Sequence, residues 1–191
     1  SGGSIIENNG ATIVWRAPAA PGTYTIEVNA TTLGGAVQNC QIQVIAAQRP
    51  TVSVNDAAFC QGESGVLTAV TNAAQPSYKW SNGAITASIT VNEGGSYSVT
   101  VTDGQTGLNN TASGIVTVYD LPTVSVNSVT TYEGDVATLT AQTNATNPSF
   151  LWSNGATTSS IQVTEAGVYT VRVTDGETGC PAEASGEVRL Y

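Results

Sequence analysis

Two stretches, GSYSVTVTDG at 95–104 and GVYTVRVTDG at 167–176, decide how this chain is read. In the first, Tyr97, Val99 and Val101 alternate with Ser98, Thr100 and Thr102, a period of two that puts the apolar set on one face of a strand. Asp-Gly follows at once and closes the run with a turn. The second stretch repeats both features with Tyr169, Val171 and Val173. An apolar face of this kind has to be covered, so each stretch predicts a strand in a layered sheet. Together they predict a duplication.

The duplication reaches well beyond these two strands. Residues 50–119 overlay 122–191 at a constant offset of 72 without a gap, and 39 of the 70 aligned pairs are identical. PTVSVN recurs at Pro50 and Pro122, LTA at Leu67 and Leu139, and WSNGA at Trp80 and Trp152. Seven short strands are expected in each copy, for the first near 51–55, 66–71, 77–81, 84–86, 88–91, 97–102 and 114–119. That number of strands in so short a repeat implies a small β-sandwich. No window shows a convincing period of 3.6, so the fold class expected is all-β.

Within such a sandwich three positions take immunoglobulin-like roles. Trp80 and Trp152 fall on the third strand, where a tryptophan packs between the sheets. Tyr97 and Tyr169 open the sixth strand, where a tyrosine hydroxyl bonds back to the preceding chain. Leu67 with Val99, and Leu139 with Val171, stand where intersheet cysteines are usual and fill those places by packing alone. These aromatic residues are therefore read as structural core.

Composition excludes several kinds of chemistry. The chain of 191 residues has 5 Lys plus Arg against 14 Asp plus Glu, a net charge of −9, and no histidine. Such a surface is not drawn to nucleic-acid phosphates or anionic lipid. No apolar run approaches the roughly 18 residues of a membrane helix, so no membrane insertion is expected in this segment. Ser1 starts neither a signal peptide nor a Met-initiated chain, and the segment reads as part of something longer. Without histidine, a His-dependent catalytic triad or histidine metal site is excluded.

Asp103 and Asp175 recur in equivalent TDG turns, and Glu93, beside Gly94, recurs as Glu165, two residues before Gly167. A calcium site would need several more converging oxygens, and Asp-Gly turn chemistry accounts for the pattern without one. No catalytic residue, cofactor or metal is expected. Lys79 is the only lysine and its counterpart is Leu151, so the repeat does not depend on a Lys-Asn crosslink. Asn29, Asn109 and Asn144 head Asn-x-Thr triplets and are read as Asn-rich loops.

The run FCQGES, then LTA, WSNGA and ASITVNEGGSYSVTVTDGQTG, with a second version ending TDGETGC, resembles a known kind of repeat. Over 48–191 it is similar to the immunoglobulin-like or PKD-like tandem repeats of very large Bacteroidetes surface proteins exported by the type 9 secretion system, gliding-motility adhesins among them. The resemblance implies an extracellular location, on the bacterial cell surface or secreted. It implies a non-enzymatic stalk or spacer segment of an adhesin, with neighbouring repeats of the same chain as partners. Two other readings stay open: a carbohydrate- or protein-binding module engaging surface glycans or other surface proteins through its loops, and an accessory region of a secreted enzyme. That family's pattern places one cysteine ahead of the second strand and one after the sixth. Here the first repeat keeps only Cys60, with Leu108 at the other position, and the second keeps only Cys180, with Tyr132 opposite. One reading joins Cys60 to Cys180 as an interdomain disulfide, with Cys40 directed toward an upstream repeat; the other leaves three separate thiols.

Residues 1–47 do not follow the offset, yet PGTYTIEV at 21–28 resembles GGSYSVTV. They are read as the C-terminal part of an incomplete immunoglobulin-like domain, preceding repeats at 48–120 and 121–191. Trp15, beside Arg16, is read either as a sugar-stacking ring or as the closure of this partial core. Gln48-Arg49 and Asp120-Leu121 leave little tether before Pro50 and Pro122, so the domains are expected to stack end to end as a stiff rod.

Overall fold

The structure is a computed structural model that describes residues 4–8, 13–16, 20–31 and 34–191. These residues fall into two compact units, one of Ser1–Val54, Ala69–Ala87 and Ser98–Ser113, the other of Asn55–Thr68, Ser88–Tyr97 and Gly114–Tyr191. The division passes through the first repeat rather than between the repeats. Every regular element among the described residues is a strand.

Strands β1 (Ser4–Asn8) and β2 (Ile13–Arg16) form one antiparallel pair. Strands β3 (Gly22–Thr31) and β4 (Val37–Ala46) form a second, in unbroken register from Gly22 opposite Ala46 to Thr31 opposite Val37. Tyr24, Ile26 and Val28 share the less exposed face of β3.

The first repeat supplies β5 (Val52–Val54), β6 (Ala57–Cys60), β7 (Gly65–Thr71), β8 (Ser77–Trp80), β9 (Ser88–Val91), β10 (Gly95–Thr102) and β11 (Asn109–Tyr119). They form a three-stranded sheet, β5-β7-β9, and a four-stranded sheet, β6-β11-β10-β8. The second repeat supplies β12 (Val124–Val126), β13 (Val129–Thr131), β14 (Ala137–Thr143), β15 (Ser149–Trp152), β16 (Ser160–Val163), β17 (Gly167–Thr174) and β18 (Pro181–Leu190). It repeats the arrangement as β12-β14-β16 and β13-β18-β17-β15. These are immunoglobulin-like β-sandwich domains in tandem.

In the second repeat Leu139, Ala141 and Ile161 from one sheet pack with Trp152, Val171, Val173 and Val188 from the other in a single core. Equivalent side chains of the first repeat, Leu67, Trp80, Ile89, Val99, Val101 and Val116, are likewise buried. Leu67, Val99, Leu139 and Val171 have no exposed surface, so hydrophobic packing occupies the places where intersheet cysteines would stand.

Two expectations about strands are corrected. The span 84–86 is no strand: it curls back on the preceding tryptophan, with the Trp80 amide donating to the Ala84 carbonyl and the Gly83 amide to the Trp80 carbonyl. In its place each repeat has an extra strand near its start, because the first strand changes sheets. After β5 leaves the three-stranded sheet, β6 runs parallel to β11, with Ala57 opposite Val116 and Cys60 opposite Tyr119. β13 runs parallel to β18 in the same way. Asn55 marks the crossing: its side chain accepts from the Thr68 amide at 2.7 Å and donates to the Val66 carbonyl at 3.0 Å, replacing ladder bonds that the departing strand no longer makes. Asn127 does the same with Thr140 and Thr138.

Candidate functional site: a disulfide between the repeats

Cys60 is the last residue of β6 and Cys180 the residue just before β18. Their sulfurs are bonded at 2.03 Å, with Cα atoms 5.6 Å apart and 120 positions between them in sequence. Of the two readings left open by the sequence, the interdomain bond is the one present. Cys40 is free and exposed on β4.

Each half of the bond is held by its own backbone. The Cys60 amide donates to the Glu63 carboxylate at 3.2 Å, the Glu63 amide returns to the Cys60 carbonyl at 3.0 Å, and the Gln61 amide donates to the Tyr119 carbonyl. Cys180 has no exposed surface and Cys60 only 9%. The Cys180 amide donates to the Thr178 hydroxyl, and the Cys180 carbonyl accepts from the Asp175 amide at 2.9 Å.

Asp175 is the organising group of this loop. One carboxylate oxygen accepts from the amides of Glu177 and Thr178, both at 2.9 Å, and from the Thr178 hydroxyl at 3.1 Å. The other reaches a different loop and accepts from the Thr146 amide at 2.7 Å. The backbone donor on Thr146, then that on Thr178, holds its carboxyl below the usual carboxylate range. Asp103 makes the same tie, accepting from Ala74 at 2.6 Å and from Gln105 and Thr106 at 2.9 Å. Its carboxyl is lowered for the same reason, the Ala74 amide first. Each tie brings two loops into close approach: a Cβ placed on Gly104 would lie 2.7 Å from the Gln75 carbonyl oxygen, and one on Gly176 2.5 Å from that of Asn147. Gln75 and Asn147 present those carbonyls from left-handed backbone, at φ of 50° and 45°.

The repeated TDG therefore does more than make a tight turn. It fastens the turn to a second loop, and in the second repeat it places Cys180 where Cys60 meets it. The only sequence signal was the recurrence of Asp, Thr and Gly at fixed spacing. No group of three or more metal-ligating side chains lies close enough to hold an ion among the described residues.

The aromatic residues sit as follows. Trp80 and Trp152 are each 2% exposed, and their indole N–H groups donate to the Thr86 and Thr158 carbonyls at 2.8 Å. Tyr97 and Tyr169 are half-buried rather than enclosed, and their hydroxyls donate to the carbonyls of Glu93 and Glu165 at 3.1 and 3.2 Å. Tyr24 makes the matching bond to Ala20 at 2.8 Å, which ties the front hairpin to the same construction. Trp15 is half-buried, its ring centroid 6.1 Å from that of Tyr24.

The sequence matches no protein-family model and no curated protein. Among solved structures it is similar to the titin domains Z1Z2 in complex with telethonin, at 17% identity over 76% of this chain and 98% of that one, with a TM-score of 0.32. It is similar to the three N-terminal domains of the highly immunogenic outer capsid protein of bacteriophage RB49, at 23% identity over 74% of this chain and 59% of that one, with a TM-score of 0.39. Four N-terminal immunoglobulin domains of Dscam1 align at 16% identity over 86% of this chain and 54% of that one, with a TM-score of 0.32. At these scores the likeness carries no argument, and the architecture rests on the sheets described above. No helix among the described residues is long and apolar enough to cross a membrane.

Proposed function

We propose that this chain is a non-enzymatic spacer, a segment of the stalk of a large secreted or cell-surface bacterial adhesin, with 48–120 and 121–191 as successive domains and 1–47 as the end of another. The observation that carries this reading is the Cys60–Cys180 bond. It spends the two cysteines on joining one repeat to the next, where a domain built only for its own stability would close a bond within itself. The Asp175 loop that positions Cys180 has a counterpart at Asp103 whose corresponding residue is Leu108, so the joint is grafted onto a loop the fold already uses. The repeated aromatic residues face the interior or bond the backbone, which leaves them to the fold rather than to a ligand. Resemblance to Bacteroidetes repeats exported by the type 9 system supports an extracellular setting, where a disulfide persists.

The test is direct. The oxidised full chain is presented to a broad glycan panel and to intact cells, and no saturable binding is expected. Saturable binding abolished by changes in one loop would replace the spacer with a binding module.

A further inference from the structure

The covalent connectivity of the joint points to a mechanical role that rests on the spacer reading and goes further than it. We propose that the Cys60–Cys180 bond is a tension shunt: pulling on the two ends of the chain loads β5, β6, the disulfide and β18, and leaves residues 61–179 out of the load path.

The placement of the two cysteines makes this so. Tension entering from the N-terminal side runs through β5 and β6 and reaches Cys60 at the last position of β6. It crosses the bond to Cys180 and leaves at once along β18, which starts at the next residue. In an unbridged chain the same pull would run on to β11 and β13. It would then drag β6 against its parallel neighbour β11, and β13 against β18, putting both ladders in shear. With the bond closed, β11 and β13 carry no load, and the hydrogen bonds that hold each sandwich together are not in line with the force.

Of the stretches that remain in line, 50–60 and 180–191 have little length to give, because most of each is already extended strand, and the antiparallel pairs β1-β2 and β3-β4 contribute the same length whether the bond is closed or open. Opening the bond frees the 120-position span, about 400 Å of extra contour at roughly 3.3–3.6 Å per residue.

The experiment is single-molecule force extension of the full chain held by its two ends, with the bond closed and again after an added phosphine reductant has opened it. Cys60→Ser is a second way of opening it. The closed chain is expected to lack about 400 Å of the contour gained by the open one. A closed chain, verified as disulfide-bonded before pulling, that lengthens as far as the open one would overturn the shunt. The reductant arm keeps the comparison valid if the variant does not fold. A glycan ligand would refute the spacer without changing these traces, and equal traces would refute the shunt without supplying a ligand.

Discussion

Opening the joint should cost stability by an amount that the loop length sets. The bond closes a loop across 120 positions, and in the chain-entropy model this restricts the unfolded chain by about 5 kcal/mol at room temperature. The perturbation is Cys60→Ser with Cys180→Ser, on a Cys40→Ser background so that the exposed thiol cannot exchange. Trp80 and Trp152 give each repeat a buried fluorophore, so urea and thermal unfolding can be followed in both. Loss of about 5 kcal/mol spread over the two repeats corresponds to a fall in Tm on the order of 10–20 °C. The bridged protein should unfold with its repeats coupled, and the variant should let them melt separately. A Tm within a few degrees of the bridged protein, with both tryptophans still reporting one transition, would refute the reasoning, because loop closure would then add nothing.

Other consequences are equally specific. Trp152→Ala removes a fully packed indole and its bond to Thr158, and should destabilise the second repeat by about 3–5 kcal/mol, whereas Leu151→Ala on the exposed face should change urea unfolding little. Asp103 and Asp175 have carboxyls lowered in the folded state, so the stability they contribute is present above the unfolded value of about 3.9 and is lost as pH falls through the folded one. Acid titration of Tm should show that loss, and Asp103→Asn with Asp175→Asn should flatten it. Gly176→Ala drives a methyl against the Asn147 carbonyl and should cost about 1–3 kcal/mol in urea unfolding.

Much of this architecture could be read before any coordinates, because its signals are local. Alternation at Tyr97, Val99 and Val101 is visible within a few residues, and the offset of 72 transfers every assignment from one repeat to the other. The features that are not legible in the sequence depend on distant partners. The strand Ala57–Cys60 has no alternation of its own and exists because it lies along Val116–Tyr119, some sixty residues away. The segment near Ala84 has strand-like residues, yet the Trp80 backbone and indole draw it into a turn. In sequence Asp175 is half of an Asp-Gly turn, because its acceptor role toward Thr146 crosses 29 positions. The two cysteines pair only across repeats, since neither repeat contains a partner for its own.

Whether the joint is held by its bond is measured by a distance distribution across it. Dyes carried on non-natural amino acids at Thr90 and Thr157, both exposed, leave the cysteines untouched. Single-molecule energy transfer should give one narrow distribution with the Cys60–Cys180 bond closed and a broader one after reduction. Distributions of equal breadth in the two states would contradict a disulfide-stiffened spacer.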